Sequence, residues 1–160
     1  MDNYTPMDYM SHAHLCLGDW VYYETPNGTK KYGRICELGS ETAGIEEENC
    51  RTGIDYEDVA CIPIEPDVLE AFGFKEGVMN NIAQPCWIIG WVENDTQTSI
   101  EVWPEKFQDT GGKDWICRIG RQLNHCQTQV KNINDIQHAM RVAGITKELE
   151  YKDGNAIQIS

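Results

Sequence analysis

The spacing of hydrophobic and polar positions changes along this chain, and each change marks an element. LGDWVYY, from Leu17 to Tyr23, reads as a strand; TPNGTKK interrupts it with the Asn27-Gly28 turn signal, and YGRICEL returns. Two apolar runs flanking an Asn-Gly pair predict a β-hairpin. TAGIEEENCRTGIDYEDVACIPI then supplies short apolar pieces at Ile45, Ile54 and Val59 to Ile64, separated by glycine and acidic turns. Short strands broken this often suit a small, strongly bent sheet. Residues 15–64 are therefore expected to form an SH3-like β-barrel behind a flexible polar lead at 1–14.

Glu65-Pro66-Asp67 changes the pattern to a helical one, with proline at an early helical position and acids near the positive end of the helix dipole. Val68, Leu69 and Phe72 give the short helix its buried side, and Gly73 is placed to end it. CWIIGWVEN, SIEVWPEKF and DWICRIG follow as apolar or alternating runs joined by DTQT and DTGGK, which predicts an antiparallel β-meander. Alternation puts Ile100 and Val102 on one face, with Glu101 and Trp103 on the other. The polar stretch from Arg121 to Gln129 is expected as a loop.

The closing stretch NINDIQHAMRVAGITKELEY repeats apolar residues at Ile133, Ile136, Met140 and Ala143, the spacing of an amphipathic helix. Asn132 or Asn134 can cap its start, Gly144 can end it, and ITKELE is expected to leave as a strand. His138 and Arg141 fall on the flank of the apolar stripe. The fold expectation is α+β: the SH3-like barrel at 15–64; a short helix, antiparallel sheet and closing helix at 65–151; and a tail at 152–160.

Composition narrows the function classes. The 160 residues include 41% hydrophobic ones, enough for a real core, and no apolar run approaches the roughly 20 residues that cross a bilayer. The opening MDNYTPMDYMSHAH has neither the basic start nor the apolar stretch of a secretion signal, so a cytoplasmic chain without membrane contact is expected. The net charge of −13 repels a phosphate backbone and argues against nonspecific nucleic-acid binding. Glu46-Glu47-Glu48 reads as a solvated loop.

The seven cysteines are odd in number, widely spaced and without a C-x-x-C pair, so neither disulfides nor a zinc knuckle are expected. Those in RICEL, VACIPI, PCWIIG and WICRIG, including Cys36, Cys61 and Cys117, sit among apolar residues, where a thiol packs as a small hydrophobe. His12 and His14, with His125 or Cys126, are the best metal candidates, but their spacing reads more simply as a polar tail, and no metal or other cofactor is expected. The chain has no G-x-x-x-x-G-K-S/T loop, no G-x-G-x-x-G and no H-E-x-x-H, and no cysteine–histidine pair carries a nucleophile signature. A non-enzymatic role is the expectation.

Three patches, LGDWV, IPIEPDVLEAFGF and IQHAMRVAGITKELE, resemble small proteins of gut Bacteroidota, their mobile elements and their phages. The resemblance covers most of Leu15 to Tyr151. It implies folding elements only, with no catalytic residue to carry over. It also implies a setting, the cytoplasm of a host cell, in which small proteins that blunt host defence are common.

Ligand chemistry centres on WICRIGRQLNHCQTQVK, where Arg118, Arg121, His125 and Lys131 concentrate positive charge in an acidic chain. Trp91 and Trp103 are the aromatic candidates beside it; a ring stacked on a base contributes roughly 1–3 kcal/mol. Guanidinium groups near aromatic rings suit a small nucleotide-type ligand. The expected ligand-binding set is Arg118, Arg121, His125, Trp103 and Trp91, with sequestration of an immune-signalling nucleotide as the expected activity. The alternative is an acidic interaction module or inhibitor that binds a basic host protein surface. Self-association into a homo-oligomer is compatible with either.

Overall fold

The computed structural model describes residues 15–24, 27–47, 50–78, 85–105, 114–121, 124–151 and 158–159. The expected lead at 1–14, with His12 and His14, and the DTGGK turn lie outside the described residues. The chain forms two compact units, one of Met1–Ile62 with Asp153–Ser160 and one of Pro63–Lys152. Both are built on antiparallel sheets, and the second carries the two α-helices found among the described residues, so the fold is α+β.

In the first unit, β1 (Trp20–Glu24) and β2 (Lys30–Leu38) form the expected hairpin, with Trp20 opposite Arg34 and Glu24 opposite Lys30. β3 (Thr42–Glu47), β4 (Cys50–Asp55) and β5 (Val59–Cys61) complete a sheet in the order β4-β3-β2-β1-β5. Its described strands follow an open path, with no pairing between β4 and β5, so the closed barrel expected at 15–64 is not observed. Glu46, expected in a loop, belongs to β3 and is exposed there. Gln158–Ile159, within the expected tail, forms β11 against Lys31 and Lys30 of β2.

Alternation sends Val21 and Tyr23 inward to meet Leu15, Ile35, Ala43, Ile45, Ile54 and Val59. Gly33 permits this packing, because a Cβ there would stand 2.5 Å from Ile45 Cγ2 and 3.0 Å from a Tyr23 ring carbon. Cys36 is exposed, beside a register shift between Ile35 and Glu37, against the expectation of a core thiol. Gly33 and Ile35 are the buried positions of this strand, so Cys36, next to Ile35, falls on the outward side although its neighbours in RICEL are apolar. The Cys36 thiol donates to the Gly44 carbonyl at 3.4 Å.

The second unit opens with α1 (Pro66–Ala71), which buries Val68 and Leu69 and ends where expected, at Gly73 with φ +95°. Its sheet has five strands: β6 (Lys75–Val78), β7 (Pro85–Glu93), β8 (Thr96–Pro104), β9 (Trp115–Arg121) and β10 (Asn124–Val130), in the order β10-β9-β8-β7-β6. The three expected strands are β7, β8 and β9. β10 replaces the loop expected up to Gln129, because its backbone pairs with all seven residues of β9 even though its side chains show no apolar period. Asn94 and Asp95 both have positive φ, 51° and 63°, and make the tight turn between β7 and β8.

α2 (Ile133–Val142) buries Ile133, Ile136 and Met140, as the periodicity predicts. The Asp135 carboxylate accepts the Asn132 N–H at 3.1 Å and the Lys131 N–H at 2.9 Å, closing the start of the helix. His138 and Arg141 are half-buried flank residues. Beyond Gly144, ITKELE is not a strand. Ile145, Leu149 and Tyr151 pack into the core without a ladder, Tyr151 meeting Phe72 edge-on at 5.3 Å. No helix among the described residues is long and apolar enough to cross a membrane.

Candidate functional site

The register of the second sheet assigns every candidate residue to a face. Residues directly opposite one another on neighbouring strands share a face. Trp91 lies opposite Thr98, Thr98 opposite Arg121, and Arg121 opposite Asn124, which makes one continuous row. Gly144, just beyond α2, meets this face: a Cβ there would stand 3.8 Å from Arg121 Nη1. The next row along, Ile89, Ile100, Ile119 and Cys126, belongs to the same helix-covered face.

Arg118 is one position out of phase with Arg121 and therefore points the other way. It lies opposite Glu101 and Gln127, on the face that also carries Trp103 and His125. The five expected binding residues accordingly divide, Trp91 and Arg121 on the helix-covered face and Trp103, Arg118 and His125 on the opposite one. They do not form a single ring around one ligand. Three-residue spacing on a strand always separates faces.

Arg118 is already engaged. Its Nη2 bonds Glu101 Oε1 at 2.8 Å, and its guanidinium carbon stands 5.8 Å from the centre of the Trp103 ring. The carboxylate and ring that could have served a ligand instead hold this arginine in the sheet. Lys131, the fourth base of the segment, lies 3.8 Å from Asp114.

Arg121 has different surroundings. No hydrogen bond or ion pair fixes its guanidinium among the described residues, although its charge helps hold the Glu93 carboxyl below the usual carboxylate range. The first cause of that depression is the hydrogen bond donated by the Thr146 hydroxyl, supported by the Thr146 backbone N–H at 3.2 Å. Trp91 also lowers the Glu93 pKa through its N–H, yet Trp91 Nε1 and Glu93 Oε2 fall short of hydrogen-bond geometry. Lys147 Nζ sits 5.4 Å from the centre of the Trp91 ring.

Three buried polar atoms in this corner, Trp91 Nε1, Glu93 Oε2 and Thr98 Oγ1, have no hydrogen-bond partner among the described residues. Thr98 itself is 0% exposed. Buried polar groups are nearly always satisfied, so a concentration of unsatisfied ones marks a place that can gain from an added polar partner.

Next to this corner a groove of about 510 Å³ opens between the β9-β10 hairpin, the start of β8 and the end of α2. Thr96, Ile119, Arg121, Asn124, Cys126 and Ala143 line it, and His125 also borders it. Its size lies within the range of about 300–1,000 Å³ typical of small-molecule sites. The lining offers one guanidinium, an amide, a hydroxyl, a thiol and a small apolar floor, a set with the chemistry to hold an anionic, partly apolar molecule. Sequence reasoning missed Thr96, Asn124 and Cys126 because it took the segment containing the last two for a loop.

The buried thiols are poor nucleophiles. Burial, with a smaller contribution from Cys126, pushes Cys117 up to about 12, and burial also raises Cys86. Both stay protonated at neutral pH. Of the metal candidates, His125 and Cys126 are neighbours on one strand and point to opposite faces.

No protein-family model, curated protein or solved structure matches the chain.

Proposed function

We propose that the protein is a non-enzymatic binder of a small anionic, nucleotide-type ligand, held in the groove beside Arg121. The observation that carries this reading is a guanidinium without a fixed carboxylate partner among the described residues, set among polar atoms that are unsatisfied there, at the mouth of a groove of small-molecule size. Arginine recognises phosphate through charge-assisted, often bidentate hydrogen bonds, and half-buried Trp91 lies on the same face. Arg118, Trp103 and the imidazole of His125 belong to the opposite face and are structural neighbours of the site. The protonated state of Cys86 and Cys117 favours capture without turnover. The resemblance to phage and mobile-element proteins gives capture a purpose, sequestration of a nucleotide immune signal in the host cytoplasm. An SH3-like arrangement of the strands at 15–64 is part of the same proposal.

An acidic module that binds a basic host protein is the second reading, favoured by the net charge of −13. The test is a thermal-shift panel of cyclic and ADP-ribose-type nucleotides, followed by recovery of the bound molecule after heating. The binder reading requires a shift with at least one of them, loss of that shift in Arg121→Ala, and release of intact ligand. A chemically altered product would mean an enzyme. No shift, together with a stable basic protein partner whose association slows as salt rises, would replace the first reading with the second.

A further inference from the structure

The second sheet ends in two unlike edges. β6 is four residues long and carries Lys75 and Glu76. β10 is seven residues long, exposed at every position but Val130, and contains no aspartate, glutamate, lysine, arginine or proline. Shortness, charge and proline are the devices that keep a sheet edge from pairing with another chain. β6 has two of them and β10 has none. Among the described residues β10 pairs with β9 on one side only, so its other side presents alternate backbone N–H and C=O groups outward.

We propose that β10 is a self-association edge, through which two copies of this chain pair antiparallel and join their five-stranded sheets into one. Charge identifies the occupant. With a net charge of −13, two copies repel over most of their surfaces, and an isologous contact brings the same patch of both copies together. A strand without formal charge is where such copies can approach. A basic partner strand would look instead for carboxylates along the edge, and β10 has none. Glu105, which reaches the strand from outside, accepts a hydrogen bond from the Gln129 amide at 2.8 Å.

Symmetry fixes the register. A two-fold axis normal to the sheet preserves its faces, and opposite residues share a face, so one residue must stand opposite itself. Pairing over the whole of Asn124–Val130 puts Gln127 at that centre, Cys126 opposite Thr128 of the second copy, and His125 opposite its Gln129. The Gln127 amide can both donate to and accept from its own copy. Asn124 and Cys126, which line the groove, belong to this strand, so pairing sets both grooves on the same face of the joined sheet. The proposal stands whether or not the groove binds a nucleotide.

Sedimentation velocity over a concentration series tests it, with wild type beside Gln127→Lys and Gln127→Cys. Gln127 is exposed, so circular dichroism and melting should show both variants folded. Wild type should show a monomer–dimer equilibrium. Gln127→Lys, which brings two like charges together at the axis, should weaken it by about tenfold or more. Gln127→Cys should oxidise to a dimer whose disulfide maps to residue 127 in both copies, since opposed strand residues lie about 4.5–5.5 Å apart at Cα. A wild type that stays monomeric throughout would overturn the proposal and leave the edge to a strand from another protein. A dimer that Gln127→Lys leaves intact, or a Gln127→Cys protein that does not cross-link at that position, would overturn it equally.

Discussion

Arg118 faces Glu101 and Trp103, whereas Arg121, three residues along the same strand, faces Thr98 and the end of α2. The first side chain is held by a carboxylate 2.8 Å away and by an aromatic ring; the second borders a groove with no fixed partner among the described residues. Residue type and exposure are nearly the same in both, and both are half-buried. The difference comes from the two-residue period of the strand, which sends one to the helix-covered face and the other away from it. An arginine becomes available to a ligand only where the surrounding carboxylates leave it so.

The most damaging way to break the contrast between the faces is to remove the cover. Met140 is 2% exposed at the centre of the apolar stripe of α2, while Val142, two residues on, is 90% exposed. Met140→Asp buries an unpaired charge and should cost about 3–5 kcal/mol, and Val142→Asp should stay within about 0.5 kcal/mol. Urea titrations of both variants check this, and equal losses would mean that α2 is turned the other way.

pH probes the covered face next. Cys117 has its thiol pKa raised from 9.0 to about 12 in the folded protein, so the folded state holds that proton more tightly than the unfolded chain does. Its contribution is fully present below pH 9.0 and is lost as pH rises toward about 12, at about 1.4 kcal/mol per pH unit within that window. Stability should therefore fall through that range in wild type and fall less steeply in Cys117→Val. Glu93 has the opposite sign: its depressed pKa stabilises the fold above the ordinary carboxylate range and is lost as pH falls through the folded value. Glu93→Gln should flatten part of the acid limb.

Ligand affinity sharpens the comparison directly. Arg121→Ala should weaken nucleotide capture about ten- to a hundredfold, equivalent to about 1.5–3 kcal/mol, with little change in melting temperature. Arg118→Ala should leave affinity unchanged. Calorimetry on the two variants decides between the faces, and a loss in Arg118→Ala alone would move the site to the other side of the sheet.

Much of this architecture could be read from residue patterns, and the failures have physical causes. The hairpin around Asn27-Gly28, the helix ending at Gly73 and the apolar stripe of α2 all follow from local rules that tertiary packing leaves intact. β10 was illegible because an exposed edge strand buries little, and NHCQTQV has no apolar alternation to betray it. ITKELE misled in the opposite sense: Ile145 and Leu149 are apolar because they enter the core, and no strand lies beside them. Cys36 escaped because an apolar neighbourhood in the sequence is not burial: the alternation of buried Gly33 and Ile35 sets the residue after Ile35 outward. Of the candidate site, the segment was legible but its faces were not, since they depended on recognising strand pairing as far as Asn124.

The smallest expected effect lies on the opposite face of the sheet. Arg118 and Glu101 form an ion pair whose side chains are 36% and 21% exposed, and the guanidinium also lies over Trp103. Exposed pairs contribute about 0–1 kcal/mol, and a ring contact in water about 0.5–1 kcal/mol. A double-mutant cycle with Arg118→Ala and Glu101→Ala should therefore give a coupling of about 0.5–1 kcal/mol that shrinks as salt is added, because water still reaches both partners. Repeating the cycle in a Trp103→Ala background separates charge from ring: the Arg118–Glu101 coupling should survive while the cost of losing Arg118 falls. A coupling of zero in both backgrounds would return Arg118 to the pool of free cations and undo the distinction from Arg121. A coupling well above about 1 kcal/mol would mean that the pair is more shielded than its exposure shows, and that Arg118 is fixed in place still more firmly.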